Sequence, residues 1–226
     1  PERIPALDVV VDDFEVTGKK VGRLELLAVN QRSLGLLSTV QSPNQAQEWR
    51  VQKLNINNSD AALKATGVWL PSSDSQVARR VDMQFNLDIT DAGALLDRFG
   101  ALGTLKAGKG SLQGRIAWVG SPWSINIPTL SGLLKMEMSK GQFLKIEPGR
   151  AGRLLNVLSL QALPRLLTLD FRDVFSDGFA FDSLSGDAQM TNGVLATQNL
   201  QMKSVLALVS MDGTVDLAKE TQNLHV

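Results

Sequence analysis

The chain has 226 residues, with 23 Lys+Arg against 23 Asp+Glu, one His and no Cys or Tyr. Charge balance removes the clustered basic excess of a nucleic-acid binder, and the lack of Cys removes disulfides, thiolate chemistry and Cys-based metal sites. His225 alone supports neither a His-based triad nor a multi-His centre, and no apolar run reaches the roughly 18 residues of a membrane-spanning helix. No catalytic residue, metal ligand set or cofactor is therefore expected.

In chain order, Thr17-Gly18-Lys19-Lys20 reads as the turn between the first two strands. Trp69 ends a strand before Leu70-Pro71-Ser72-Ser73-Asp74, and Trp118 ends another before Gly120-Ser121-Pro122. This echo suits a sheet built from similar hairpins. Val81 to Ile89 alternates apolar and polar without exception, which predicts a strand with one dry and one wet face. Thr90 to Phe99 predicts a short helix, with Thr90 and Asp91 as N-cap candidates and Gly100 as the stop. Gly108, Gly110 and Gly114 lie in a strand-like stretch rather than before a helix, so they are not a phosphate loop.

Further strands are predicted where Leu134, Met136 and Met138 alternate with Lys135, Glu137 and Ser139, and where Leu167, Leu169 and Phe171 alternate with Thr168 and Asp170. Between them Pro148 to Leu163 predicts a helix, bounded by Pro164 and apolar almost all round through Leu154, Leu155, Val157 and Leu158. Asn192-Gly193 predicts a tight hairpin before the face shared by Val194, Ala196, Leu200 and Met202. Val205 to Leu217 reads as one long strand with a bulge at Gly213. The total is ten to twelve strands and two helices (91–99 and 149–163) in one domain, 1–226. The fold class is mainly β: an elongated, curled antiparallel sheet forming an open half-barrel or taco-like groove. The start at Pro1 and the stop at Val226 inside an alternating run read as a piece of a longer protein.

Acid–base readings are weak. Asp12 and Asp13 are adjacent on a strand and point to opposite faces, while Asp170 and Arg172 share a face and read as a structural ion pair beside Asp173. Trp49, Trp69, Trp118 and Trp123 read either as caps on a core or as interfacial anchors.

One ordered run is more specific. It comprises Pro148-Gly149-Arg150, Gly152-Arg153-Leu154-Leu155, Leu158 to Arg165, Leu169-Asp170-Phe171-Arg172-Asp173-Val174-Phe175 and Gly178-Phe179-Ala180-Phe181-Asp182. Together with the preceding glycine and Trp118 motifs, it resembles the C-terminal region of the YhdP branch of the AsmA-like proteins. The resemblance implies a bridge-like lipid transfer protein of the Gram-negative envelope, anchored in the inner membrane by a part outside this stretch. It implies a periplasmic location, phospholipid acyl chains as cargo, other envelope proteins as partners, and neither cofactor nor catalysis. On that reading Met83, Phe85, Leu87, Leu134, Met136, Met138, Leu167 and Leu169 line an apolar groove. The 149–163 helix is then expected as a plug or gate, or as a cover over an open end of the sheet. The alternative is a periplasmic structural or interaction scaffold in which the same residues fill a closed core.

Overall fold

The computed structural model describes residues 4–32, 47–70, 79–144 and 178–226. Among these residues eleven strands follow one another in a single antiparallel sheet whose spatial order equals the chain order. They are β1 Leu7–Val16, β2 Lys19–Arg32, β3 Gln47–Asn57, β4 Ala61–Leu70, β5 Arg80–Ile89, β6 Leu105–Val119, β7 Ser131–Phe143, β8 Phe179–Thr191, β9 Val194–Lys203, β10 Leu208–Asp216 and β11 Thr221–His225. β1 and β11 are each paired on one side alone, so the sheet stays open. Period-2 alternation gives a strand one apolar face, and sequential pairing gathers those faces on one side of the sheet.

Two turns sit where the sequence places them. Thr17 and Gly18 take φ of 50° and 75°, and Asn192 and Gly193 take 50° and 79°, the left-handed pair that a two-residue hairpin requires. The α-helix of the described residues, α1, spans Ala92–Arg98. Its N-cap is Asp91, whose carboxylate accepts from the Ala94 N–H at 3.0 Å, and Gly100 at φ 96° ends the turn. The second predicted helix, 149–163, lies outside the described residues, as do Asp170, Arg172 and Asp173.

One boundary differs. The strand expected from Val205 begins at Leu208, because Ser204 and Ala207 close a hairpin turn first: the Ser204 N–H donates to the Ala207 carbonyl at 2.8 Å. The bulge at Gly213 stands, with φ 139° and a register shift against β9 between Met211 and Gly213.

Both ends of the apolar face are filled. At one end Trp49, Trp69, Val81 and Trp118 lie side by side on β3 to β6 and pack with Ile4, Ala28, Leu130 and Met190. The indole N–H groups are satisfied by backbone carbonyls: Trp69 donates to Gly120 at 2.8 Å, Trp118 to Ser121 at 2.9 Å and Trp49 to Pro5, ahead of β1, at 3.0 Å. The Trp49 ring meets that of Trp123, on the β6–β7 connection, at 5.6 Å. Three strand spacings on a flat sheet are about 14 Å, so the connection closes over the apolar face here. Three of the four tryptophans are thus buried caps, and Trp123 is exposed. At the other end α1 lies against β6, and Ala92 and Leu96 pack with Leu105, Met138, Phe181, Met202 and Met211.

Candidate functional site

Between the two filled ends the apolar face runs across the middle strands. Register fixes its rows. Met83 stands opposite Ile116; Phe85, Gly114, Leu134 and Ala188 form the next row; Leu87, Leu112 and Met136 the next; Ile89, Gly110, Met138, Leu184 and Met202 the last. Met83, Phe85, Leu87, Leu134, Met136 and Met138, singled out from sequence, therefore share one face. Met138 is buried beneath the helix end, and the other five are half-buried. The row is packed sideways: a Cβ at Gly114 would sit 2.6 Å from Leu134 Cδ2 and 3.0 Å from Phe85 Cε1. Leu167, Leu169 and the expected plug residues Leu154, Leu155, Val157 and Leu158 lie outside the described residues.

Alternation in β4 and β6 carries the same face onward through Leu63, Leu112 and Ile116, which sequence reading passed over. The signal was present in Gly110, Leu112, Gly114 and Ile116, spaced by two. Just upstream the backbone turns left-handed at Ala107 and Gly108, with φ of 55° and 90°, although the register holds, Ala107 pairing with Gly141 and Lys109 with Ser139.

The opposite face is polar and also curved. A concavity of about 1170 Å³ is lined by Lys64, Gln84, Asn86, Gln113, Arg115 and Lys135, among others. Phe85 and Leu134 border it, whereas Met83, Leu87, Met136 and Met138 do not. A twisted sheet is saddle-shaped and can be hollow on both faces. The Arg115 guanidinium forks onto Asp82 with bonds of 2.8 and 2.7 Å, and Lys53 reaches Glu25 at 2.7 Å. Hydrogen bonds from Arg115 hold the Asp82 carboxyl below the ordinary carboxylate range, against the cost of partial burial. Among the described residues no three His, Cys, Asp or Glu side chains gather as a metal-binding group. Asp12 is engaged by Arg23 in an ion pair.

Asp60 ties the helix end together. It sits in the β3–β4 turn, buried, and accepts from the Ser59 hydroxyl at 2.6 Å and from Arg98 Nε at 2.7 Å. The Arg98 guanidinium also reaches the Lys20 carbonyl, so α1, β2 and this turn share one network. The Ser59 bond, opposed by burial and helped by Arg98, lowers the Asp60 pKa. A lowered native pKa adds stability that is fully present above the unfolded value of about 3.9 and is lost as pH falls through the native value. Urea midpoints between pH 6 and pH 3 are therefore expected to drop more steeply for the native chain than for Asp60→Asn. At pH 6 that variant is expected to be weaker by about 1–3 kcal/mol, the scale of a charge-assisted bond left with one partner.

A sequence profile of the YhdP protein family matches residues 1–226. The chain belongs to the YhdP family. One curated relative, the intermembrane phospholipid transporter YhdP of Escherichia coli (strain K12), is 30% identical over 170 residues. That alignment covers 75% of this chain and 13% of the E. coli protein, so the chain spans a small part of its YhdP relative's length. No solved structure matches. The open eleven-stranded sheet is thus a described piece of the YhdP architecture. Among its described residues no helix is long and apolar enough to cross a membrane.

Proposed function

We propose that the chain is one segment of an envelope conduit that carries phospholipid between inner and outer membranes along the apolar face. The carrying observation is the continuous, half-buried apolar surface from Met83 to Met136, flanked by filled ends. Its relationship to a phospholipid transporter supports the same reading. The residues proposed to touch acyl chains are Met83, Phe85, Leu87, Leu134 and Met136, with Met138 at the helix-end margin. Removing hydrocarbon from water is worth about 0.8 kcal/mol per CH₂, so even partial cover by this face makes passage through an aqueous space far less costly. Aliphatic and thioether side chains make non-directional contacts, which suits sliding better than polar anchors do. The segment works in the periplasm as part of a protein anchored elsewhere in the inner membrane, and it performs no chemical step. Protein isolated from membranes without detergent, extracted and analysed by mass spectrometry, is expected to carry phospholipid; a lipid-free preparation would count against the conduit and favour a scaffold with a closed core.

A further inference from the structure

The β9–β10 turn is apolar and bare. It presents Val205 and Leu206 at 90% and 93% exposure, with Leu208 at 60% beside them. Adjacent aliphatic side chains this bare are costly in water unless something covers them. The turn itself is tightly tied. Ser204 Oγ accepts from the Leu206 N–H at 3.2 Å and the Ala207 N–H at 3.0 Å, while the Ser204 N–H donates to the Ala207 carbonyl at 2.8 Å. Three of the four N–H groups of residues 204–207 are thereby satisfied inside the turn. Such a tip gives up little hydration on entering an interfacial layer, where its remaining carbonyls still meet headgroup water.

Lysines stand on the β6-to-β9 side of the tip, with Lys203 at its base. Lys203 ends β9 and stands in the row Lys109, Ser139, Ser183, Lys203, which leads to Leu208 on β10. Lys106 and Lys140 lie on the same terminal stretch of β6 and β7, and all four lysines are exposed. None of the four forms an ion pair among the described residues. Among the described residues Asp182 is the one acid on this stretch of β6 to β9. A bare aliphatic tip flanked on one side by lysines is a combination that anionic bilayers attract, through apolar insertion and surface charge together. Protein partners are instead recognised chiefly through Trp, Tyr and Arg, and the tip has none of these.

We propose that residues 204–208 form a bilayer-docking tip that seats this end of the sheet on an anionic phospholipid surface. The tip is separate from the proposed acyl-chain path, and a scaffold could dock in the same way. The chain has no Cys, so Leu206→Cys in the full chain takes a single environment-sensitive fluorophore. With protein-free vesicles containing phosphatidylglycerol the emission is expected to shift to the blue, and with pure phosphatidylcholine much less so. The double variant Val205→Asp, Leu206→Asp is expected to lose vesicle co-sedimentation by about tenfold or more. Its circular dichroism and its co-purified phospholipid should be unchanged, since both side chains lie outside the core. Lys109→Glu with Lys203→Glu is expected to weaken binding and flatten its salt dependence. Co-sedimentation unaltered by the aspartates, no blue shift on any vesicle, or a shift that appears only with added envelope protein would overturn the proposal. Loss of co-purified lipid from intact Leu87→Asp protein, with docking retained, would separate the two readings.

Discussion

Trp69→Ala is expected to remove about 3–5 kcal/mol of stability, which is a large fraction of the 5–15 kcal/mol that holds a typical domain. The indole is 4% exposed and sits in the row Trp49, Trp69, Val81, Trp118. Truncation opens a void beneath three neighbours that cannot all collapse into it. It also strips the Gly120 carbonyl of its donor and the Arg79 guanidinium of the ring face it stacks on at 4.0 Å. Trp69→Phe keeps most of the volume and loses only the N–H bond, so it should cost about 1–2 kcal/mol. Urea or guanidinium midpoints measure both. Equal costs for the two variants would mean that packing at this end is not what holds the sheet.

Leu87→Asp together with Met136→Asp is expected to cut retained phospholipid by about tenfold or more, because a carboxylate on the apolar path must stay hydrated and leaves the hydrocarbon uncovered. The two residues are joined through Leu112 in one cross-strand row and are half-buried. An open face lets a carboxylate reach water, so the variant should remain folded by circular dichroism, at a reduced midpoint. A closed core predicts the opposite pattern, in which the same pair unfolds the protein. Gln84→Asp, exposed on the polar face beside Phe85, is the control and should leave lipid content unchanged. Extracted phospholipid per protein, set against the unfolding midpoint, reads out the contrast.

Much of this architecture is written locally. The unbroken alternation of Val81 to Ile89 marks β5 because a half-wet strand needs period two, and Asn192-Gly193 marks the β8–β9 hairpin because few other pairs tolerate two left-handed residues. The echo between Trp69 and Trp118 has a physical cause. Both indoles donate to the Gly120-Ser121 turn from either side of Val81. Other features are non-local. The β9–β10 tip was hidden because Val205, Leu206 and Leu208 look like the start of a strand, and only the Ser204 hydroxyl bonds reveal a turn. Which side of the sheet is hollow depends on twist summed over eleven strands, which no window of sequence reports. Leu112 and Ile116 carry an alternation diluted by Gly110 and Gly114 and join the candidate face once register sets them opposite Leu87 and Met83, whereas the polar concavity around Gln84 and Arg115 had no sequence signature.

The central claim is that phospholipid travels on one face and not the other. Photo-crosslinking amino acids placed singly at Phe85 and Met136, and at Gln84 and Glu137 as their opposite-face neighbours, test it residue by residue. Crosslinking in membranes followed by mass spectrometry of the adducts should find phospholipid on positions 85 and 136 and not on 84 and 137. Equal capture on both faces, or capture on neither, would contradict the account.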